Sequence, residues 1–100
     1  MATGTIWDER EHVVALYLFR FGPEDLGLSY QEIADVMGRS PDSLIMRFSN
    51  FLHAENSKHG LDGGGHKAYE VYAKYKDSPK AQLRRIALKA LLNKAKRSGT

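Results

Sequence analysis

The chain has 100 residues, which is enough for one domain with a modest hydrophobic core. Its hydrophobic fraction of 42% argues against disorder, and the lack of cysteine excludes disulfides and thiolate zinc sites. No apolar run approaches the roughly 20 residues that span a bilayer, and no signal-peptide stretch follows the N-terminus. We therefore expect a soluble, cytoplasmic protein without membrane contact.

The net charge of +3 is unevenly distributed along the chain. From Lys76 onward there are eight Lys or Arg residues and one acid, Asp77, so this segment carries +7 and the first 75 residues carry −4. A basic tail beside a mildly acidic body predicts contact with a polyanion, made mainly by the tail. The alternative explanation of the same charges is an ordinary solvated helix face.

The first predicted helix begins at or near Asp8, because acidic residues in a first turn complement the helix dipole. Its apolar surface is broad, so we expect it to lie at the centre of the core. Gly22 and Pro23 end this helix. Trp7, just before it, is placed to cover the core or the helix N-terminus.

The second and third helices are predicted within residues 29–52, as a helix-turn-helix. Ser29 and Glu32 form a capping box, and Gly38 can adopt the left-handed conformation that ends a helix. Ser40 is the next N-cap, with Pro41 at the first helical position. The third helix is expected to bury an apolar stripe formed by Leu44, Ile45, Phe48, Phe51 and Leu52.

Two further helices complete an all-α, five-helix prediction for a single domain spanning residues 1–100. The fourth helix follows a glycine-containing loop, and the fifth, a basic C-terminal helix over residues 79–97, follows a Ser-Pro pair. No strand-like alternation or internal repeat is present. The tyrosines at 69, 72 and 75 recur at a spacing that favours core packing over base stacking.

The spacing of the two central helices predicts that the second presents its early residues to the DNA major groove. Arg47 can bind guanine bidentately, Asn50 can pair with adenine, and exposed Met46 suits a thymine methyl. Asp42 repels phosphate unless it caps the helix or binds a cytosine amine. The predicted contacts on this helix and its preceding turn are Arg39, Ser40, Asp42, Ser43, Met46, Arg47 and Asn50.

Phosphate contacts are predicted outside the helix-turn-helix, because Arg39 and Arg47 are few cations for a DNA-binding face. The fifth helix supplies Arg84, Arg85 and Lys89, and Lys67 stands beside a triple glycine at the start of the fourth helix, although an ordinary loop is the favoured interpretation there. The alternative function is a protein-interaction or dimerisation module with no direct DNA contact.

Catalysis and cofactors are not predicted. His53, Glu55, His59 and His66 match no established zinc spacing, and the glycines at 63–65 are not followed by the Lys-Ser/Thr of a P-loop. We therefore expect no metal, no cofactor and no enzymatic activity within this chain.

Three segments, residues 13–18, 33–51 and 60–67, resemble the N-terminal helical module found ahead of HNH nuclease domains in some bacterial and phage restriction-like endonucleases. The resemblance implies a DNA-recognition role in a prokaryotic or phage-infected cell, with catalysis in an HNH domain outside this chain. The predicted function is sequence-preferring binding of double-stranded DNA, either as such a recognition module or as a small free-standing regulator. A homodimer would read two half-sites about one helical turn apart.

Overall fold

The computed structural model describes residues 7–56 and 66–99, with side chains described for 7–56 and 67–96. Within these residues the chain forms five α-helices and a short 3₁₀ helix, and no β-strand. The elements are α1 (Glu9–Phe21), the 3₁₀ helix (Glu24–Leu26), α2 (Tyr30–Met37), α3 (Pro41–Asn56), α4 (His66–Tyr75) and α5 (Lys80–Gly99). The all-α prediction is confirmed. The predictions for His59, the His66 side chain and the glycines at 63–65 lie outside the described residues.

The first helix is fixed at its N-terminus by a reciprocal capping box. The Asp8 side chain accepts the Glu11 N–H at 2.8 Å, and the Glu11 carboxylate accepts the Asp8 N–H at 3.0 Å. The helix ends at Gly22, whose φ of 81° lies in the region that favours glycine. Both ends therefore lie where the sequence predicts.

The core is built around α1, as its broad apolar surface predicts. Eight consecutive residues, 11–18, are buried, so neighbouring helices cover every side of this segment. Helices α3, α4 and α5 all contact α1, whereas α2 packs against α3 and α5. Trp7 is also buried and belongs to the same core, as the sequence predicts.

The last two helices close the remaining side of α1. The Tyr72 ring of α4 stacks on Phe51 of α3, with ring centroids 6.3 Å apart, and the Tyr75 hydroxyl donates to the Glu9 carboxylate at 2.7 Å. The Pro79 carbonyl accepts the Leu83 N–H, so α5 begins immediately after this proline. Of the helices described, none is long and apolar enough to cross a membrane.

Candidate nucleic-acid interface

The connection between α2 and α3 is a tight three-residue turn with both helix ends capped. Gly38 is left-handed, with φ 72° and ψ 29°, and the Arg39 N–H donates to the Ala34 carbonyl at 2.9 Å. This pattern satisfies the terminal carbonyls of α2. The Ser40 hydroxyl accepts the Ser43 N–H at 3.2 Å, which caps α3 at the predicted residue. The turn thus fixes the direction in which α3 leaves α2.

Arg39, a predicted DNA contact, lies against the body of the domain. Its Nε and a terminal nitrogen each donate to an oxygen of the Glu11 carboxylate at 3.0 Å. The guanidinium also lies 4.9 Å from the centre of the Trp7 ring, a cation–π contact. A bidentate, mostly buried pair of this kind orders the turn. Arg39 therefore joins the turn to α1.

Glu11 is the centre of this arrangement, with a side chain only 3% exposed. Lys94 of α5 approaches the second carboxylate oxygen at 3.3 Å, so Glu11 connects α1 to the turn and to α5. Burial opposes the charged form, but hydrogen bonds from Arg39 and the Asp8 N–H, with the nearby charge of Lys94, hold the Glu11 pKa below its usual value. Glu11 is therefore an ionised carboxylate inside the domain.

Arg47, the predicted guanine contact, lies over the same Trp7 ring that Arg39 contacts. Its guanidinium carbon is 4.8 Å from the Trp7 ring centre, and its Nε is buried without a hydrogen-bond partner among the described residues. Burial, reinforced by the charge of Arg39, lowers the Arg47 pKa. Arg47 is half-buried, so a base contact by this side chain would require it to leave Trp7.

The apolar stripe predicted for α3 is wrong at two residues. Leu44 and Phe51 are buried as expected, but Ile45 is 60% exposed and Leu52 is 50% exposed. The buried side of α3 is centred on Leu44, Phe51 and Ala54, so it is displaced by part of a turn from the predicted stripe. The prediction failed because Ile45 and Leu52 lie next to Phe48 on one flank of the true buried side, so the apolar residues alone place the centre of that side too far toward this flank.

The other predicted contacts on α3 are polar or exposed and lie near its first half. Asp42 is exposed, Ser43 and Asn50 are half-buried, and Met46 is 60% exposed as expected. The Ser43 hydroxyl donates to the Ser40 carbonyl at 2.9 Å, so both serines are engaged in capping. Met46 and Asn50, four residues apart, are neighbours on one flank of the helix.

The charges exposed on α2 and α3 are mainly acidic. Glu32, Asp35 and Asp42 are all exposed, whereas the two arginines of this region lie against Trp7. This surface therefore provides little electrostatic attraction for phosphate on its own.

The predicted phosphate contacts on α5 divide into two groups. Arg84 donates to the Asp25 carboxylate at 2.9 Å, and Lys80 lies 3.8 Å from the same group. Arg85 and Lys89 are exposed, and neither forms an ion pair with a described carboxylate. They lie four residues apart, with Lys96 seven residues further along the same side of the helix. Lys67, on α4, is exposed as well.

Three residues that surround Arg39 were not predicted from the sequence to do so. They are Trp7, whose ring contacts the guanidinium, Glu11, whose buried carboxylate binds it, and Lys94, the second cation beside that carboxylate. The Asp8–Glu11 spacing indicates a capping box, but not that the same carboxylate also binds Arg39, 28 residues away. A cavity of about 100 Å³ adjoins the cluster, between α1, the end of α2 and α5. In the described part of the chain, no group of three or more His, Asp or Glu residues is arranged to hold a metal ion.

Comparison of the chain with protein-family models, curated proteins and solved structures finds no match. The resemblance to the module that precedes HNH nuclease domains therefore stays a prediction.

Proposed function

We propose that this domain binds double-stranded DNA with a sequence preference, as the recognition module of a restriction-like nuclease or as a small free-standing regulator. The observation that carries the proposal is the row of exposed cations on α5, formed by Arg85, Lys89 and Lys96. Phosphate contacts by such cations supply the sequence-independent part of DNA affinity. We call these three residues the basic row.

Base contacts are assigned to the flank of α3 that carries Met46 and Asn50. Met46 lies in the first half of the helix, the part that reaches base edges in helix-turn-helix proteins, and Asn50 lies one turn further along the same flank. Met46 can contact a thymine methyl, and the Asn50 amide matches the edge of adenine. Arg47 lies between them in sequence, but its contact with Trp7 makes it a poorer probe, because its substitution would also alter the core.

The first test is a salt series of duplex binding followed by fluorescence anisotropy. Each phosphate contact adds about 0.9 to the magnitude of the slope of log affinity against log salt concentration. The Arg85→Gln/Lys89→Gln variant is therefore expected to have a slope smaller in magnitude by nearly two. The control is Lys74→Gln/Lys76→Gln, which makes the same charge change at the end of α4, and its slope should be nearly that of the parent. Equal slopes for all three proteins would contradict the role of the basic row.

A second candidate function is protein interaction, and one observation favours it. Ile45, Met46 and Leu52 are large apolar side chains exposed on a single helix, and exposed apolar clusters are typical of interaction surfaces. A folded chain that binds no duplex at low salt, and that binds a protein through these residues, would favour this candidate over DNA binding.

A further inference from the structure

Exposed apolar side chains concentrate on α2 and α3. Of the five large apolar residues that are exposed in the described part of the chain, four lie there, and only Leu92 lies elsewhere. The four are Tyr30, Ile45, Met46 and Leu52. The Tyr30 ring packs edge-on against Phe48, at 5.9 Å between ring centroids, so it extends the same surface from α2.

The exposed side of α3 contains a row of five residues spaced by three, four, three and four positions. This spacing places side chains along one line of a helix, as in the seam of a coiled coil. All five are exposed, and the row extends about 21 Å along the axis. We call it the α3 outer row; its members are Asp42, Ile45, Ser49, Leu52 and Asn56.

The α3 outer row is complementary to a reversed copy of itself. When two such rows run antiparallel about an axis near Ser49, Ile45 of each faces Leu52 of the other, and Asp42 faces Asn56. Ser49 is small, so it permits close approach of the two helices at the axis. A two-fold interface requires this kind of self-complementarity, since each contact occurs twice.

The charges on and beside the row are compatible with this arrangement. Asp42 meets an amide that can donate to it, and the remaining acid of α3, Glu55, accepts a hydrogen bond from Tyr72 of α4 at 3.4 Å. The only Lys or Arg of α3 is Arg47, which lies over Trp7. Among the Asp, Glu, Lys and Arg residues of α3, no pair of like charges is therefore forced together across the axis.

From these observations we infer that the α3 outer row is a homodimer interface, in which α3 packs antiparallel against α3 of a second copy across a two-fold axis near Ser49. The inference does not rest on DNA binding, and the basic row on α5 takes no part in it. This dimer is not the one that would read two half-sites one DNA turn apart, because it holds the two α3 helices only about 8 Å from each other. A single helix pair buries less than the roughly 1,200 Å² at the lower limit of standard stable interfaces. The dimer is accordingly a weak one that dissociates on dilution.

Cysteine cross-linking tests the geometry directly, because the natural chain contains no cysteine. Helices about 8 Å apart bring the two copies of residue 49 within the roughly 7 Å between Cα atoms that a disulfide spans. Ser49→Cys is expected to form a covalent dimer on mild oxidation, whereas Ala73→Cys, exposed on α4, stays monomeric. An oxidised mixture of Ile45→Cys and Leu52→Cys is expected to yield mainly the mixed dimer, as the antiparallel register requires.

Sedimentation of the cysteine-free protein over a concentration series supplies the second measurement. Ser49→Arg is expected to weaken self-association at least about tenfold, because it places like charges together at the axis. Leu92→Glu, which alters an equally exposed leucine on α5, should leave it unchanged. Circular dichroism checks that both variants keep the helical fold.

Three results would overturn the inference. The first is a parent chain that remains monomeric at about 1 mM. The second is equal cross-linking of the Ser49→Cys and Ala73→Cys variants. The third is weakening by Leu92→Glu as large as that by Ser49→Arg, which would show that the α3 outer row binds the basic row of another copy instead of its own equivalent.

Discussion

At the scale of single residues, Glu11 does more than its position in a helix cap indicates. It accepts the Asp8 N–H, binds Arg39 through both carboxylate oxygens and lies 3.3 Å from Lys94. One buried carboxylate therefore joins the start of α1, the turn before α3 and the second half of α5. Removing its charge would take away the carboxylate that faces both Arg39 and Lys94, and the Arg39 side chain is only 13% exposed.

We predict that Glu11→Gln lowers the free energy of unfolding by about 3 kcal/mol, the range for breaking a buried ion pair. Urea denaturation followed by circular dichroism measures this loss. The matched control is Glu9→Gln, because the Glu9–Lys74 pair is exposed and such pairs contribute less than about 1 kcal/mol. Similar costs for the two variants would show that the Glu11 cluster is not a stabilising centre.

His12 predicts a pH dependence of stability. Its ring is buried, its Nδ1 donates to the Asp8 carbonyl at 2.9 Å, and burial lowers its pKa from the ordinary 6.5. The unfolded chain therefore binds a proton at a higher pH than the folded chain does, so stability falls as the pH drops below about 6.5. Glu11, Arg47 and Trp7 also lie near this ring and do not titrate in that window.

Urea denaturation at pH 7.5 and pH 5.5 measures this effect for the parent and for His12→Gln. We expect the parent to lose more stability than the variant between the two pH values. Parallel losses in the two proteins would assign the pH dependence to other groups.

The contact between Arg39 and Glu11 could not be predicted from the sequence, for a physical reason. Arg39 is a cation in a turn, and its sequence context is compatible equally with a DNA contact and with an internal ion pair. Which of the two it forms depends on whether a carboxylate lies within reach after folding, and Glu11 lies 28 positions earlier. The burial of Trp7, in contrast, agrees with one of the two positions that its place just before a buried helix predicts.

At the scale of elements, the sequence predicts ends of helices better than their faces. The caps at Ser29 and Ser40 and the turn at Gly38 all lie where local chemistry places them, because capping depends on residues three or four positions apart. The buried side of α3 was predicted less well, since Ile45 and Leu52 are apolar but exposed. Which side of a helix is buried depends on which neighbouring helices pack against it, and that is a property of the whole fold.

The left-handed turn at Gly38 gives an element-scale prediction. Space is available there, since a Cβ added to Gly38 would meet no heavy atom within 4 Å, so Gly38→Ala should destabilise through backbone conformation alone. We expect a loss of about 1 kcal/mol, the lower end of the cost of a left-handed L-residue. Gly38→Asn should cost less, because asparagine tolerates this conformation better. Thermal denaturation of both variants would measure the order, and a reversed order would contradict the turn geometry.

At the scale of the whole molecule, charge is separated between surfaces. The exposed charges of α2 and α3 are acidic at Glu32, Asp35 and Asp42, whereas the basic row lies on α5. The sequence predicts this division, because the segment after residue 75 carries +7 whereas the first 75 residues carry −4. In the proposed DNA complex the two surfaces therefore have different roles: α5 contributes affinity and α3 contributes the choice of sequence.

The most direct test of that account is selection of binding sites from a randomised duplex pool at moderate salt, with the parent and with Met46→Ala/Asn50→Ala. We expect the parent to enrich a defined sequence, and the folded variant to bind duplex DNA without this enrichment, because its phosphate contacts remain. A parent that enriches no sequence, or a variant that enriches the same sequence as strongly, would contradict the assignment of base contacts to α3.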